Sequence, residues 1–473
     1  MIIIIMIRMF VNREEELKML EKKHKKSSFE CIVVYGRRRV GKTQLIKRFI
    51  EGKKAIYFLA DKRGSENNLS RFVISVAEHF DEMPVQTSGF DDAFKYIGKK
   101  CGKKRLIIVF DEFSYLVEKD GSIPSVFQLI IDEILKETNI FLILCGSSIS
   151  MMEIGVLSYK SPLYGRRTGQ ILLKPLKFKY LKHFFPTYPI VKRVEAYAIL
   201  SGIPAYLSEF DAEKSLMQNI ENTFLTPTHM FYIEPEMLLR EELREPASYF
   251  NILQAIASGC TKMTEIANKA RFEVKDIPIY INTLIRLGFV KKINPVTEMH
   301  KTKKSLYYIS DNFFSFWFSF ILENKSKIEG LEKQDVIEKI KKHINQYMGR
   351  RFEELCEHFL WEIKKNIDMD FNKAGKWWGY RRENSERKEV EIDLVCLDEQ
   401  KREILFVECK WSSLTEKKAS HILEELKNKS KSVEWNREKE YFGLFGKKIL
   451  GKEKLRKEGF FVWDLEDIEK LVR

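Results

Sequence analysis

The sequence predicts a multidomain α/β protein, and three observations lead to this prediction. The chain has 473 residues, and a chain of that length is expected to form about three domains. Up to about residue 190, short apolar runs alternate with helical stretches, as in a parallel sheet that is covered by helices on both faces. The pattern is all-helical from about Val191, and it returns to mixed helices and strands near Tyr347.

The first region, residues 1–190, contains apolar runs that we predict to be buried strands of one parallel sheet. These runs are Cys31–Tyr35, Ala55–Leu59, Leu106–Phe110 and Ile140–Cys145. Helical stretches lie between them at Thr43–Ile50, Leu69–Phe80 and Val126–Leu135.

The middle region is predicted to be helical, with one β-hairpin. Residues 191–245 form a helical segment, and residues 246–320 contain three helices, Ser248–Ala257, Met263–Ala270 and Val274–Leu287. The strands Phe289–Ile293 and Ser305–Ile309 then flank a basic turn with Lys301, Lys303 and Lys304. Three helices and a hairpin make a winged-helix module. Residues 321–346 are rich in Lys and Glu, and we interpret them as a solvated helical connector to the C-terminal segment, residues 347–473.

The third helix of such a module enters the major groove in nucleic-acid binders, and the wing contacts phosphates. However, Val274–Leu287 is mostly apolar and carries few basic residues. A role in relaying the state of another domain, or in binding protein, is therefore an equal alternative.

The composition indicates real apolar cores and a strongly charged surface. Hydrophobic residues make up 44% of the chain, charged residues 32%, and the formal net charge is +14. This charge favours a polyanionic partner such as nucleic acid or nucleotide. A Lys- and Glu-rich surface of the thermophile type, with a basic bias, explains it equally well.

The cysteines and the apolar segments indicate a cytoplasmic protein with no membrane span. The seven cysteines include no CxxC pair, so we interpret them as buried thiols in a reducing compartment. The N-terminal run Met1–Ile7 and the stretch Phe313–Leu322 are both far shorter than the ~18 residues that a membrane helix needs.

The strongest motif follows the first predicted strand. The residues Gly36, Arg37, Arg38, Arg39, Val40, Gly41, Lys42 and Thr43 match GxxxxGK[ST], with an apolar strand before them and a helix after them. Glycines let backbone N–H groups turn inward to hold phosphate oxygens, and the helix N-terminus adds its positive end. Lys42 would reach the β- and γ-phosphates and the Thr43 hydroxyl would ligate Mg²⁺. The motif predicts ATP with magnesium as ligand.

A pair of acids supports this prediction. Asp111 and Glu112 end the apolar run Leu106–Phe110. Asp111 would hold the magnesium shell, and Glu112 would polarise the attacking water.

Weaker candidates for the same site follow the last predicted strand of the first region. Ser147 or Ser148 would sense the γ-phosphate, although a plain strand-to-loop turn is nearly as good an interpretation. Arg166 or Arg167 would act as an arginine finger, and a solvated loop arginine is the equal alternative.

The C-terminal segment carries a second constellation. Residues 390–395 and 404–411 are predicted to form a β-hairpin. Strand alternation puts Glu391 and Asp393 on one face of the first strand, and Glu408 and Lys410 share a face of the second, so the two strands can bring an aspartate, a glutamate and a lysine together. An aspartate followed by Glu-x-Lys is the signature of restriction-enzyme-like nucleases, whose acids hold Mg²⁺ and whose lysine orients water. Helix residues Glu353 or Glu354 would add a further acid. Solvated edge strands with ordinary charges are the alternative interpretation.

Together these motifs resemble archaeal ATPases of the STAND/AAA+-like group that end in a nuclease-like domain. Further matching segments are Phe10–Glu14, Ser161–Arg166, Leu173–Leu176, Gly202–Leu207 and Tyr307–Trp317, so the resemblance covers nearly the whole chain. Gly202–Leu207 looks like the lid motif of the family, although Ser201 stands where the family usually has a first glycine. The resemblance implies a helical lid over residues 191–245, and the Phe-Glu pair of the family favours Glu353 over Glu354.

The predicted fold is therefore multidomain α/β: a P-loop parallel α/β sheet domain with a helical lid, a winged-helix module and a C-terminal α/β restriction-endonuclease-like domain. We expect an ATP hydrolase that uses Mg²⁺ and acts on nucleic acid, DNA rather than RNA. In this hypothesis Glu112, Arg166, Asp393, Glu408 and Lys410 are catalytic, and Thr43, Asp111, Glu353, Asp393 and Glu408 bind metal. The alternative is a signalling ATPase whose C-terminal domain binds nucleic acid or protein without cutting it. A second copy of the chain or another protein is the further partner expected.

Overall fold

The computed structural model describes residues 10–243, 245–298, 302, 304–330, 332–383 and 386–471, with side chains except at 382, 383, 386 and 471. The apolar run Met1–Ile7 and the turn residues Lys301 and Lys303 lie outside the described residues. The chain divides into two compact units: one is the chain up to Leu176 together with Ile203–Ser208, and the other is Lys177–Gly202 together with Glu209–Arg473. Each unit has its own central sheet.

The first unit is built on a five-stranded parallel sheet with the strand order β2-β3-β4-β1-β5. Its strands are β1 (Glu30–Tyr35), β2 (Ala55–Leu59), β3 (Leu106–Asp111), β4 (Ile140–Gly146) and β5 (Gly169–Leu172). Its helices are α1 (Glu14–His24), α2 (Lys42–Ile50), α3 (Ser65–Phe80), α4 (Phe90–Cys101), α5 (Phe113–Lys119), α6 (Ile123–Ile130), α7 (Ile149–Met152) and, after α8 (Ile190–Leu200) of the second unit, α9 (Pro204–Leu207).

Both faces of this sheet are buried, which explains why its strands are continuous apolar runs instead of alternating ones. One face packs a phenylalanine cluster in which Phe110 touches Phe58, Phe72 and Phe127 with ring centroids 4.8–5.5 Å apart. The other face packs against α1 and α2. The predicted parallel α/β domain is confirmed.

The second unit contains a mixed five-stranded sheet with the order β12-β11-β10-β9-β8 and a two-stranded hairpin. Its strands are β6 (Val290–Ile293), β7 (Leu306–Ile309), β8 (Lys373–Glu383), β9 (Glu386–Asp398), β10 (Glu403–Leu414), β11 (Lys439–Ile449) and β12 (Phe461–Asp464). Besides α8, its helices are α10 (Leu216–Thr223), α11 (Met230–Glu242), α12 (Pro246–Ala257), α13 (Met263–Ala270), α14 (Ile277–Arg286), α15 (Asn312–Phe316), α16 (Lys325–Glu329), α17 (Lys333–Ile363), α18 (Glu416–Ser430), α19 (Lys452–Lys457) and α20 (Leu465–Leu471).

The predicted hairpin of the C-terminal segment is present as β9 and β10, which pair antiparallel. The additional strand β8 pairs with β9, and the sequence pattern did not predict it. Helix α17 runs across residue 346, where the prediction puts the end of the connector. Its N-terminal part is not fully solvated, because Val336, Ile337 and Ile340 are buried.

The predictions about the cysteines and the apolar segments can be compared with the described residues. All seven cysteines are free thiols, and six of them are buried. Among the described residues, no helix combines the length and the apolarity needed to cross a membrane.

Candidate functional site

The phosphate loop of the first unit connects β1 to α2. Gly36 has φ of +145°, and a Cβ atom there would lie 2.5 Å from the carbonyl oxygen of Leu173, so only glycine fits. Gly41 has φ of +96° and precedes the first residue of α2. The loop therefore ends at a helix N-terminus with its glycines where the backbone must turn, as an anion-binding loop requires.

Lys42 is buried beside this loop. Its Nζ donates hydrogen bonds to the carbonyl oxygens of Gly36 at 2.8 Å and Arg37 at 3.0 Å. The pKa of Lys42 is lowered, because the effect of burial outweighs the opposing effects of Cys145, Glu112 and Asp111. The ammonium group lies inside the loop, where it can exchange backbone acceptors for phosphate oxygens.

Thr43 and Asp111 meet because β1 and β3 both flank β4, so their carboxyl ends lie at the same edge of the sheet. The Thr43 hydroxyl donates to Asp111 Oδ2 at 2.8 Å, and the Tyr57 hydroxyl donates to the same oxygen. A hydroxyl and a carboxylate are oxygen ligands of the kind that Mg²⁺ prefers. The residues present therefore fit a magnesium ion, with Thr43 and Asp111 as its holders.

Tyr57 is a member of this site that the motifs did not predict. It lies on β2, which pairs with β3 so that Tyr57 is opposite Val109. Burial, followed by the hydrogen bond to Asp111, raises the pKa of the Tyr57 phenol well above its ordinary value. The hydroxyl therefore stays protonated and acts as a donor to the carboxylate.

Glu112 is held by the residues that follow β4. Ser147 Oγ donates to Glu112 Oε1 at 2.6 Å, and the Ser147 backbone N–H donates to Oε2 at 3.3 Å. Ser148 instead caps α7, where its hydroxyl accepts from the Met151 N–H. Of the two serines that the sequence left open, Ser147 thus contacts a candidate catalytic group.

The arginines of the first unit have distinct surroundings. Arg38 donates to the Tyr115 hydroxyl at 2.8 Å, and the guanidinium groups of Arg37 and Arg39 lie 5.8 and 5.9 Å from the centre of the Tyr206 ring. Tyr206 belongs to the segment that resembles the lid motif.

Arg166 forms an ion pair with Asp132 at 2.8 Å and donates to the Pro162 carbonyl. Arg167 donates to the carbonyls of Val156 and Leu157. Among the described residues, neither arginine forms a hydrogen bond or an ion pair with Glu112. The arginine finger stays a prediction.

Arg13 supports the phosphate loop from outside the motif. It is buried, and its Nη2 donates to the Val40 carbonyl at 3.0 Å and to the Lys174 carbonyl at 2.8 Å. In the sequence this residue belongs to the segment Phe10–Glu14 that carries part of the family resemblance, and in the structure it ties the loop to the segment after β5.

The candidate site of the second unit, which we call the acidic cluster, consists of Glu353, Glu391 and Asp393. One carboxylate oxygen from each lies within 4.8 Å of the others. Lys376 of β8 pairs with Glu353 at 3.0 Å and also with Glu391. The cluster offers three oxygen ligands, which fits a hard cation such as Mg²⁺.

Asp393 joins the acidic cluster to the Glu-x-Lys motif. Its Oδ2 accepts hydrogen bonds from the Cys409 backbone N–H at 2.8 Å and from Lys410 Nζ at 3.2 Å. Lys410 also pairs with Glu408 at 2.5 Å, and Lys429 of α18 pairs with Glu408 at 2.8 Å. Glu408 therefore lies between two lysines, beside the acidic cluster but outside the group of three.

The two helix acids are separated by the structure. Glu353 lies in the acidic cluster, whereas Glu354 pairs with Lys291 at 2.9 Å and with Arg351 at 3.2 Å. The sequence did not predict Glu391 as a ligand, nor the partners Lys376 and Lys429. Strand alternation did put Glu391 on the face of Asp393.

Burial dominates the electrostatics of these acids. Burial, reinforced by Asp393, raises the pKa of Glu353 to about 7 against the opposing effect of Lys376. Burial also raises the pKa of Glu408, with Asp393 as the next cause. For Asp393, burial acts upward, but Lys410 and the Cys409 N–H outweigh it and the pKa is lowered. Desolvated carboxylates and lysines converge here, as in many catalytic sites.

Comparison with known proteins agrees with the first site. A family model described as an ATPase domain predominantly from Archaea matches residues 10–210. A second model, of archaeal and bacterial proteins of unknown function, matches residues 317–422. The match to the ATPase domain covers both the phosphate loop and the acid pair Asp111-Glu112.

Two relatives come from Methanocaldococcus jannaschii. An uncharacterized protein is 39% identical over 461 residues, which are 97% of this chain and 100% of the relative. An uncharacterized ATP-binding protein is 60% identical over 48 residues, which are 10% of this chain and 81% of the relative.

Two solved structures are similar to parts of the chain. The Walker-type ATPase PABY2304 of Pyrococcus abyssi is 21% identical, with a TM-score of 0.49, over 65% of this chain and 96% of the other. The ORC2 protein of Aeropyrum pernix is 14% identical, with a TM-score of 0.44, over 68% and 95%. The family assignment does not depend on these two. With 39% identity along almost the whole of both chains and a matching ATPase domain, the protein belongs to the archaeal ATPase family.

Proposed function

We propose that this archaeal ATPase binds and hydrolyses ATP with magnesium at the phosphate loop, and that its C-terminal domain is a nuclease-like domain that acts on nucleic acid, DNA rather than RNA. The single observation that carries the second part is the arrangement at Asp393. This carboxylate accepts from Lys410, lies beside Glu408 and shares a cluster with Glu353, as in the Asp…Glu-x-Lys nucleases.

At the phosphate loop, each residue has a defined task. Lys42 and the backbone N–H groups of the loop bind the phosphates, and Glu112 takes a proton from the attacking water. Ser147 fixes the orientation of the Glu112 carboxylate through its hydroxyl. Magnesium held by Thr43 and Asp111 would neutralise charge that develops on the phosphate oxygens.

At the acidic cluster, the proposed tasks follow from charge. Glu353, Glu391 and Asp393 would hold a divalent ion, which would polarise a phosphodiester and activate water. Lys410, 37% exposed, is the cation that faces both solvent and Asp393, and it would stabilise negative charge on the phosphate. Glu408 orients Lys410 through their ion pair.

The middle of the chain supports a nucleic-acid function more weakly. The helices α12, α13 and α14 with the β6–β7 hairpin match the expected elements of a winged-helix module. We propose that this module, together with the lid segment 191–245, transmits nucleotide state or contacts the nucleic acid. The division of the chain into five segments is part of the same proposal.

One observation favours the second candidate function, a signalling ATPase that does not cut. Lysines pair with all four acids: Lys376 with Glu353 and Glu391, Lys410 with Asp393, and Lys429 with Glu408. Such a network is nearly neutral and is able to serve as a structural element. In that case the C-terminal domain would bind nucleic acid or protein only.

Cleavage of nucleic acid distinguishes the two functions. The test compares three proteins: the wild type, Lys410→Ala and the control Lys448→Ala, which changes an exposed lysine on β11. Each is incubated with DNA and RNA substrates, with and without Mg²⁺ and ATP. The proposal requires Mg²⁺-dependent cleavage that Lys410→Ala abolishes and Lys448→Ala retains. If the protein turns over ATP but cleaves no substrate, the nuclease function is excluded and the signalling ATPase is the function that remains.

A further inference from the structure

A polar cavity lies close to the acidic cluster within the same unit. It has a volume of about 320 Å³ and is bordered by α12, β7, the α15 region and the long helix α17. Known ligand pockets begin at about this size, roughly 300 Å³. The cavity is thus large enough for a nucleotide-sized group.

The lining of this cavity is positively charged. Lys339, Arg350 and Arg351 contribute three cations, against the one lining carboxylate, Glu323. Lys339 lies 3.9 Å from Glu323, and Arg351 lies 3.2 Å from Glu354. Arg350 is exposed, and no carboxylate among the described residues forms an ion pair with it, so its charge is the one available to an anion.

Hydrogen-bond donors complete the lining. Ser258, Thr261, Ser315 and Ser319 line the cavity, and the Ser258 hydroxyl among them donates to the Ala255 carbonyl. Arg351 is buried, with a side chain only 6% exposed, and its Nε has no hydrogen-bond partner among the described residues. Leaving a buried donor unpaired is costly, so an acceptor is expected to satisfy it. Cations with several hydroxyl donors are the chemistry that binds a phosphate group.

The position of the cavity connects it to the acidic cluster. Arg350 and Glu353 are three residues apart on α17, so their Cβ atoms are about 5–6 Å apart. Tyr308 lines the cavity, and it lies close enough to Arg350 and to Lys376, Glu391 and Glu353 for all four charges to act on it. One nucleotide is long enough to span this separation.

We propose that this cavity is a phosphate subsite, which binds the phosphate of a nucleic-acid strand adjacent to the one at the acidic cluster. Arg350 provides the main charge, and the hydroxyl groups and Arg351 provide donors. The inference rests on the proposed nuclease-like function for the identity of the strand. A free nucleotide carries the same phosphate chemistry, and the experiment separates the two sources.

The test is a binding titration of the full chain, in EDTA so that no cleavage occurs. The probes are a fluorescent, 5′-phosphorylated single-stranded DNA and, separately, a deoxynucleoside monophosphate. All proteins carry Lys42→Ala, so that the phosphate loop does not contribute to binding. The variants are Arg350→Gln, Arg350→Lys and the control Lys342→Gln, which removes an exposed charge from the same helix at a residue that does not line the cavity. Unchanged thermal unfolding midpoints verify the fold of each variant.

We expect Arg350→Gln to weaken DNA binding about tenfold. The slope of log K against log salt concentration should become shallower by about 0.7, which is the contribution of one contact to a single-strand phosphate. Arg350→Lys, which keeps the charge, should stay within about threefold of the parent, and Lys342→Gln within about twofold. If Arg350→Gln weakens binding of the mononucleotide tenfold but leaves binding of the DNA unchanged, the cavity is a phosphate subsite for a free nucleotide. Equal effects of Arg350→Gln and Lys342→Gln on both probes would overturn the subsite.

The outcome is independent of whether the domain cuts. If wild-type protein cleaves nothing but Arg350→Gln still weakens DNA binding, the nuclease proposal fails and the phosphate subsite stands. If cleavage depends on Lys410 but neither probe responds to Arg350→Gln, the nuclease proposal stands and the subsite fails.

Discussion

The contact between Ser147 and Glu112 leads to a sharp prediction about ATP turnover. Replacing Ser147 by alanine removes the 2.6 Å hydrogen bond to Glu112 Oε1 and leaves two longer bonds to Oε2, from the Ser147 backbone N–H at 3.3 Å and from the Ser114 hydroxyl at 3.4 Å. Ser147 is buried, so water does not easily take over the lost donor. A hydrogen bond to a charged group contributes about 1.5–3 kcal/mol. If this energy orients the carboxylate for proton transfer, its loss slows turnover by roughly 10- to 150-fold.

The assay is steady-state ATP hydrolysis, together with direct measurement of nucleotide affinity. We expect the turnover number of Ser147→Ala to fall at least tenfold, while the Kd for ATP changes by less than about threefold, because the Ser147 hydroxyl donates its hydrogen bond to the Glu112 carboxylate. Ser148→Ala is the matched control, since that hydroxyl caps α7. Its loss should cost about 1 kcal/mol of stability and leave turnover nearly unchanged.

Two results would refute this reasoning. Turnover by Ser147→Ala within twofold of wild type would show that the hydrogen bond does not orient the base. Equal losses in Ser147→Ala and Ser148→Ala would show that both act through the loop after β4 and not through Glu112.

Three further predictions concern the two sites. Gly36→Ala should abolish ATP binding and cost about 1–3 kcal/mol of stability, measured by nucleotide titration and chemical unfolding, because its Cβ would lie 2.5 Å from a backbone oxygen. Lys376→Met should raise the affinity for Mn²⁺ about tenfold or more in a calorimetric titration, since it removes a cation from the acidic cluster. The control Lys373→Met, which loses an ion pair with Glu399 in a turn, should leave this affinity unchanged. Arg166→Ala and Asp132→Asn both remove the partly exposed ion pair between these residues, and Asp132→Asn also removes the pair with Lys136, so each should cost about 1 kcal/mol or less. Only Arg166→Ala should slow ATP turnover, and equal rates for the two variants would assign Arg166 a structural role.

The phosphate loop could be predicted almost completely because its chemistry is local in sequence. Eight consecutive residues carry the motif, and the strand before it and the helix after it fix the position of Lys42 and Thr43. Asp111 could be predicted equally well, since parallel strands end at the same edge of the sheet. Tyr57 could not be predicted, because its contact with Asp111 depends on β2 pairing with β3, and strand order is not encoded in any local pattern.

The C-terminal domain was predictable only in part for a related reason. Alternation within two strands located Asp393, Glu408 and Lys410, and these residues do lie together. Lys376 comes from a strand that the pattern missed, and Lys429 comes from a helix that follows the motif. The partners of a buried charge come from whichever elements pack around it, so they cannot be read from the segment that carries the charge.

These partners bear on how tightly the two sites can bind their ligands. Lys42 already donates to two carbonyls of its own loop, and Lys376 already pairs with two carboxylates of the acidic cluster. A phosphate must compete with the first set of contacts, and a metal ion with the second. The observed affinity at each site is therefore a difference between two sets of interactions, and not the sum of the new contacts. In the proposed function, Lys376 would therefore set the metal concentration at which the acidic cluster is occupied. It also follows that a variant without this lysine should bind metal more tightly even if it no longer acts on its substrate.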